Sequence, residues 1–327
     1  MGRRQFLVRG LVVTGAAAAG MKAARGAADR RAAERFYEQS PGRIGPIGFG
    51  GGFIEAPFVF HRSDSVQTFH AASFEAVRNA LPSTALHPVR LPDGRAVVLV
   101  ASMQYGDITT RSVDGIAALP YGEVMVAILV TPRPAPPFLP LVAPSATGLS
   151  AGGFVLHLPV TTRAARDVGR LVWGYPRFVA DMEFDDSIAE RRVHVAEGGH
   201  DILTLTAHPS GRPSITHESL VLYSVLGNEL IESTVPTYGI RQLRWGRRGG
   251  RLELGDHQVA DELRTLEIAP EPFVTALTVA ERLAMRVGRP IGPARPCLGY
   301  IGEDRDLGRY VVRYPNTAPI DRYAPFA

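Results

Sequence analysis

The chain almost lacks lysine. Of the 36 lysine and arginine residues in its 327 residues, one is a lysine, Lys22, and the rest are arginines. An enzyme that forms an imine with its substrate needs an amine that can lose its proton, whereas the guanidinium group of arginine stays charged. Imine chemistry by a side chain of this protein therefore depends on Lys22 alone.

Cysteine is equally scarce, since Cys297 is the single one. One cysteine excludes an internal disulfide framework and a cysteine-rich zinc site. We expect Cys297 to be buried and inert. The nine histidines show no pair at metal-ligand spacing on a predicted helix, so we predict neither a metal nor a cofactor.

An excess of charge is confined to residues 1–28, which contain no acidic residue. Their basic residues are Arg3, Arg4, Arg9, Lys22 and Arg25. Removing these five from the 36 basic residues leaves 31 against 32 acidic ones, so the remainder is nearly neutral. A neutral body gives no reason to expect a nucleic-acid partner. No later apolar run is long enough for a membrane span.

The first residues resemble a twin-arginine export signal. Arg3 and Arg4 precede the pair Phe6-Leu7, and a Gly/Ala-rich apolar stretch follows at residues 11–20. We predict a signal peptide over residues 1–28, a linker over residues 29–44, and a periplasmic or secreted protein. The alternative is a basic start to a cytoplasmic protein.

Segments rich in Val, Ile and Leu predict that strands dominate the rest, for example at residues 96–103, 123–130 and 154–160. Short helices are predicted at residues 73–81 and after Thr161 or Thr162, and residues 259–266 and 273–285 look helical or mixed. Together these elements predict an α+β domain over residues 45–287 with an antiparallel-rich closed or conical β-barrel. A Pro/Gly-rich extension follows over residues 288–327.

One segment resembles a family signature. Residues 168–177 read Val-Gly-Arg-Leu-Val-Trp-Gly-Tyr-Pro-Arg. This is similar to the signature of the acetoacetate decarboxylase superfamily, in which a helix ends in a Gly-Arg pair and Tyr-Pro precedes two lysines. Tyr121-Gly122-Glu123 resembles the family's Tyr-x-Glu, and residues 74–82 and 255–263 agree in order. The resemblance implies a barrel of the acetoacetate decarboxylase type with a small carboxylic acid as partner, and it allows a homo-oligomer.

The sequence departs from that family at the reactive amine. In the family the first lysine forms an imine with a β-keto acid and the second lowers its pKa. Here these places hold Arg177 and Phe178. The family's two glutamates fall near Leu99 and on Glu123, and its substrate-side arginine falls near Arg62 or the next residue. We therefore do not expect an imine mechanism.

The resemblance leaves three interpretations open. In the first, the protein is a lyase-type or isomerase-type enzyme acting on a small keto or unsaturated carboxylic acid. Arg177 would bind a carboxylate or enolate and Glu123 would be the general acid or base, with Tyr175, Arg62 and Phe178 binding substrate. In the second, an exported protein without activity binds a small ligand in the same cavity. In the third, Arg177 and Glu123 form a structural ion pair.

Overall fold

The computed structural model describes residues 44–49, 52–110, 117–118, 120–142, 151–187 and 189–303. The predicted signal peptide and nearly all of the predicted linker lie outside the described residues. The strands are β1 (Ile44–Phe49), β2 (Gly52–Ala56), β3 (Phe58–Ala72), β4 (His87–Pro88), β5 (Ala96–Thr110), β6 (Ala117–Ala118), β7 (Tyr121–Thr131), β8 (Gly152–Val160), β9 (Arg177–Val179), β10 (Asp181–Asp186), β11 (Arg191–Glu197), β12 (His200–Ala207), β13 (Ser214–Leu226), β14 (Glu229–Trp245), β15 (Gly250–Leu254), β16 (Val274–Met285) and β17 (Arg289–Pro293). The helices are α1 (Phe74–Ala80), α2 (Leu139–Val142), α3 (Arg163–Trp173) and α4 (Gln258–Arg264).

Seven strands close into a mixed barrel. They follow the order β7-β5-β3-β16-β14-β13-β8, and β8 returns to pair with β7. All neighbours are antiparallel except β13 and β8, which run parallel. Strand β9 adds to β8 as a second parallel pair. The prediction of an α+β fold with a closed, antiparallel-rich barrel is confirmed.

Strand β5 shows why the barrel strands are apolar on both faces. Val97 and Leu99 belong to one buried cluster inside the barrel. Val98 and Val100, which point to the opposite face, belong to a second cluster outside it. A second sheet of order β10-β11-β12-β15 and the helices α1 and α4 contribute to this outer cluster. The strand is buried on both faces, so it reads as a continuous hydrophobic run.

Several local predictions can be compared directly with the structure. Helix α1 lies between Ser73 and Pro82, as predicted, and the Thr162 hydroxyl caps α3 by accepting a hydrogen bond from Ala165 N at 3.2 Å. Residues 274–285 form the barrel strand β16, so the helical expectation there was wrong. Cys297 is exposed, contrary to the expectation of burial.

The start of the predicted extension joins the barrel, because β17 pairs with β14. Within the described ranges, no helix combines the length and the apolar character that a bilayer crossing requires.

Candidate active site in the barrel

The junction between α3 and β9 places two side chains, those of Tyr175 and Arg177, at the barrel interior. Gly174 ends the helix with φ +67°, and its N–H donates to Arg170 O at 3.0 Å. A left-handed residue at this place is a common helix ending that glycine adopts without steric cost. Pro176 fixes its own φ and pushes Tyr175 into an extended conformation. The chain therefore enters β9 at Arg177 in a defined direction.

Arg177 is almost fully buried, with 3% of its surface exposed. Its Nη2 atom forms an ion pair with Oε2 of Glu123, and Nη1 donates to Ala165 O at 2.8 Å. Its Nε atom has no acceptor among the residues that the structure describes. Of the guanidinium nitrogens, Nη1 and Nη2 thus have protein partners, and Nε has none among the described residues.

Glu123 lies on β7 and is 4% exposed. Its Oε1 atom accepts a long hydrogen bond from the Tyr105 hydroxyl at 3.4 Å. Burial raises the pKa of the Glu123 carboxyl, and the positive charge of Arg177 opposes that rise. The arginine in turn keeps its charge, because Glu123 raises the pKa of Arg177.

Three tyrosines surround this ion pair. The guanidinium carbon of Arg177 lies 5.9 Å from the ring centre of Tyr121 and 5.8 Å from that of Tyr175. Tyr105 packs on Tyr121 with 4.9 Å between ring centres. Burial raises the pKa of all three phenols, so they remain protonated hydrogen-bond donors at neutral pH.

A further buried carboxyl, Glu281 of β16, belongs to the same interior. It is 3% exposed, and its Oε2 atom accepts a hydrogen bond from the Ser65 hydroxyl at 2.8 Å. Burial raises its pKa to about 7. Sequence reasoning missed this residue, as it missed Tyr105 and the contact of Tyr121 with Arg177.

The structure therefore brings together three of the predicted site residues, Arg177, Glu123 and Tyr175. It does not bring Arg62 or Phe178 to them. Arg62 is exposed to solvent on β3. Phe178 follows Arg177 in the strand and so points to the opposite face, where it is fully buried in the outer cluster against Tyr300.

Two more observations concern the chemistry of the interior. Leu99, which stands near the place of the family's first glutamate, faces the inner apolar cluster. Over the described ranges, no three histidine, cysteine, aspartate or glutamate side chains are grouped so that they could hold a metal ion. The interior thus contains an arginine, two carboxyls and phenols.

The fold agrees with comparisons to known structures. Acetoacetate decarboxylase from Legionella pneumophila is 17% identical with a TM-score of 0.51, over 78% of this chain and 93% of that one. The enduracididine biosynthesis enzyme MppR is 14% identical with a TM-score of 0.55, over 78% and 98%. An acetoacetate decarboxylase-like enzyme from Sphingomonas wittichii is 13% identical with a TM-score of 0.50, over 73% and 94%. At such identities these likenesses show the fold alone.

A search of curated proteins finds no match. The model of the family described as acetoacetate decarboxylase (ADC) matches residues 51–291, which include the whole barrel from β3 to β16 and the Tyr175-Pro176 junction. That match spans well over half of the sequence, and so the chain belongs to the acetoacetate decarboxylase family.

Proposed function

We propose that this protein binds a small keto or unsaturated carboxylic acid inside the barrel and changes it through an enolate, without forming an imine. The observation that carries the proposal is the buried group of Arg177, Glu123 and three phenols beside the Tyr175-Pro176 junction, where the resemblance implies the family's reactive lysine. No lysine follows Lys22 in the sequence, so no lysine side chain of the barrel can attack a carbonyl group.

An enolate is the shared intermediate of two reactions that the site suits. Removal of a proton next to a carbonyl group, or loss of carbon dioxide from a β-keto acid, leaves an electron pair that moves to the carbonyl oxygen. A fixed guanidinium group stabilises that negative charge strongly in a buried site. The spare Nε donor of Arg177 and the protonated phenols are the groups that could meet this oxygen.

The substrate class is proposed from two facts. A buried guanidinium group favours an anionic ligand, since arginine binds carboxylates through paired hydrogen bonds. Among the similar structures, MppR is described as complexed with pyruvate, a small keto acid, over 76% of this chain at 14% identity. That finding concerns MppR, and it supports a keto acid here as a proposal.

Proton exchange in deuterated water tests this function. Pyruvate and 2-oxobutanoate are incubated with the protein, and proton NMR follows the loss of signal next to the carbonyl group. We expect the protein to accelerate exchange, and Arg177→Met and Glu123→Gln to slow it roughly 100-fold, a typical cost of losing or misplacing the group that stabilises the developing negative charge. The matched controls are Arg212→Met and Glu229→Gln, which change exposed residues. Exchange at the buffer rate with wild-type protein contradicts the proposal.

A second candidate is a protein that binds a small acid without converting it. It is favoured by the ion pair itself, because Glu123 already neutralises Arg177. Calorimetric titration with the same acids separates the two candidates. Binding that depends on Arg177, together with exchange at the buffer rate, identifies the non-catalytic protein.

We propose further that the protein is exported through its twin-arginine start. The supporting observation is the placement of Arg3 and Arg4 before Phe6 and Leu7. Cell fractionation of the full chain and of the variant with both arginines changed to lysine tests this. Equal amounts of both proteins in the cytoplasm contradict export.

The homo-oligomer that the resemblance allows stays a prediction, and light scattering measures the oligomeric state.

A further inference from the structure

Glu281 owes its inward position to an irregular stretch of β16. The pairing of β16 with β3 shifts register on both sides of Glu281, between Thr278 and Glu281 and again between Glu281 and Leu283. The preceding residue, Ala280, has φ +50°, a conformation that residues other than glycine seldom adopt. Irregularities of this kind bend a strand and redirect a side chain, and they are frequent beside active sites.

The neighbouring strands hold this irregular backbone. Ala280 N donates to Oδ1 of Asp64 at 3.0 Å, so the side chain of an adjacent strand fixes the unusual residue. On the other side, a Cβ atom at Gly239 would lie 3.2 Å from Cα of Glu281 and 2.7 Å from Cγ2 of Thr278. Glycine at position 239 therefore leaves the room that the bulge occupies.

The Glu281 carboxyl is buried without a neutralising partner. Among the described residues, no basic group lies within ion-pair distance of it, and its recorded side-chain partner is the Ser65 hydroxyl. The charged groups that act on it are Arg241, Asp64 and Glu218, and Arg241 is itself paired with Glu218 at 2.6 Å. The loss of hydration on burial raises the pKa of Glu281 to about 7.

The strand register places Glu281 in one row with the site. Ser65 of β3 pairs with Met103 of β5, which pairs with Glu123 of β7. Paired residues face the same side of a sheet, and the three strand spacings from β16 to β7 amount to about 14 Å along the barrel wall. Ser63, which pairs with Glu281, pairs on its other side with Tyr105. Tyr105, whose hydroxyl donates to Glu123, thus faces the interior in the same row as Glu281.

We propose that Glu281 is a second proton-transfer group for the substrate, acting from the other side of Tyr105 while Arg177, positioned by Glu123, stabilises the enolate oxygen. This inference rests on the function proposed above. The Glu281 carboxylate takes a proton from the carbon next to the carbonyl group, and the electron pair of the broken C–H bond moves to the carbonyl oxygen. The carboxyl exchanges its proton with solvent and then returns one to the same carbon, or to the γ-carbon where the substrate is unsaturated and the intermediate is a dienolate.

The two carboxyls have environments that suit different tasks. Glu123 faces a permanent positive charge, which favours its ionised form, whereas Glu281 has a hydroxyl for its partner. Burial raises the pKa of both carboxyls, but only Glu123 has a cation beside it, so Glu123 suits the task of positioning Arg177 and Glu281 the task of carrying protons.

The test compares Glu281→Gln with wild type in the deuterium exchange of pyruvate from pH 5 to pH 9. Glutamine keeps the size of the side chain and an oxygen for Ser65. We expect exchange to fall at least 10-fold and its step near pH 7 to disappear, with the affinity for pyruvate changed less than 3-fold. Glu229→Gln, at the exposed start of β14, is the matched control and should exchange like wild type.

A second variant covers the case in which Glu281→Gln fails to fold, which circular dichroism shows. The Ser65 hydroxyl lowers the pKa of Glu281, so Ser65→Ala should move the step in the pH profile upward. An unchanged rate and profile in Glu281→Gln, or an unmoved step in Ser65→Ala, overturns the role of Glu281 and leaves the proposed function standing. A wild-type protein that does not exchange pyruvate at all overturns the proposed function and this role with it.

Discussion

Gly169 of α3 lies directly against the side chain of Arg177. A Cβ atom at position 169 would come within 2.6 Å of Nε and 2.7 Å of Nη1 of the arginine, closer than nonbonded atoms approach. Position 169, the glycine of the Gly-Arg pair, therefore has no room for a side chain. It provides the flat helix surface on which the guanidinium group lies between Ala165 O and Glu123.

Gly169→Ala should displace Arg177 and lower stability. In an unobstructed helix this change stabilises a protein by up to about 1 kcal/mol, but overpacking a filled interior costs about 1–3 kcal/mol. We expect the second effect to win, with weaker binding of keto acids as well. Urea denaturation measures the stability, and calorimetric titration measures the binding of keto acids. Gly106→Ala is the control, because its nearest neighbour would be 3.9 Å away; a stabilised Gly169→Ala protein would refute the packing argument.

The ion pair of Arg177 and Glu123 should show strong coupling. Removal of one partner leaves an uncompensated buried charge, which costs about 3–5 kcal/mol, whereas replacement of both by apolar residues costs much less. Arg177→Met and Glu123→Met should therefore each destabilise more than the double variant does. Chemical denaturation of the four proteins gives the coupling energy. Additive effects would mean that the two side chains do not interact in solution.

The stability of the protein should depend on pH through Glu281. In the unfolded chain the carboxyl has its ordinary pKa of 4.5, and in the folded protein the pKa rises to about 7. The folded state binds more protons in that window, so this group makes stability fall as pH rises from 4.5 to 7 and has no further effect above it. Relative to Glu281→Gln, wild type should lose roughly 3 kcal/mol across the window. Denaturation curves at several pH values check this.

His70 changes the stability with pH in the opposite direction, and for this reason wild type is compared with Glu281→Gln. Burial lowers the pKa of His70 to about 4, so its contribution to stability grows as pH rises from 4 towards 6.5. Both proteins contain His70, and its effect cancels in the difference. A difference that stays constant between pH 4.5 and 7 would show that Glu281 titrates normally.

The guanidinium group of Arg170 connects the C-terminal segment, residues 298–303, to β9, the strand that carries Arg177. It donates to the carbonyl oxygen of Arg177, to Leu298 O at 3.2 Å and to Tyr300 O at 2.7 Å. The Tyr300 hydroxyl in turn donates to Oε2 of Glu197 at 2.7 Å. The segment thus supports the outer side of β9.

Arg170→Met should release this segment. Three carbonyl oxygens lose a charged donor, and a bond to a charged group contributes about 1.5–3 kcal/mol. Hydrogen–deuterium exchange should accelerate over residues 298–303, while β12 keeps its protection. Uniformly faster exchange along the whole chain would indicate general destabilisation and would contradict a local clamp.

Part of this structure could be predicted from sequence because its signals are local. Thr162 and Gly174 mark the two ends of α3, and continuous apolar runs rich in Val, Ile, Leu and Ala give β5 and β7. The sequence around Glu281 misleads for a physical reason. Ala-Glu-Arg-Leu suits a helix surface, and the strand assignment comes from the pairing of β16 with β3 and β14, which no local pattern contains.

The same distinction between local signals and long-range pairing applies to the site. Arg177, Glu123 and Tyr175 could be found because the family signature marks their positions. Tyr105 and Glu281 join them through cross-strand register and a bulge, and neither is visible in the order of residues. Phe178 is misplaced by the sequence argument because adjacent residues of a strand point to opposite faces.

The central claim is that an arginine stands where the family has its reactive lysine, so the chemistry proceeds without an imine. The direct measurement is intact-protein mass after incubation with pyruvate or acetoacetate and reduction with borohydride, beside an acetoacetate decarboxylase that has the lysine. We predict an unchanged mass for this protein while it still exchanges substrate protons. A borohydride-stable adduct on the chain would contradict the account.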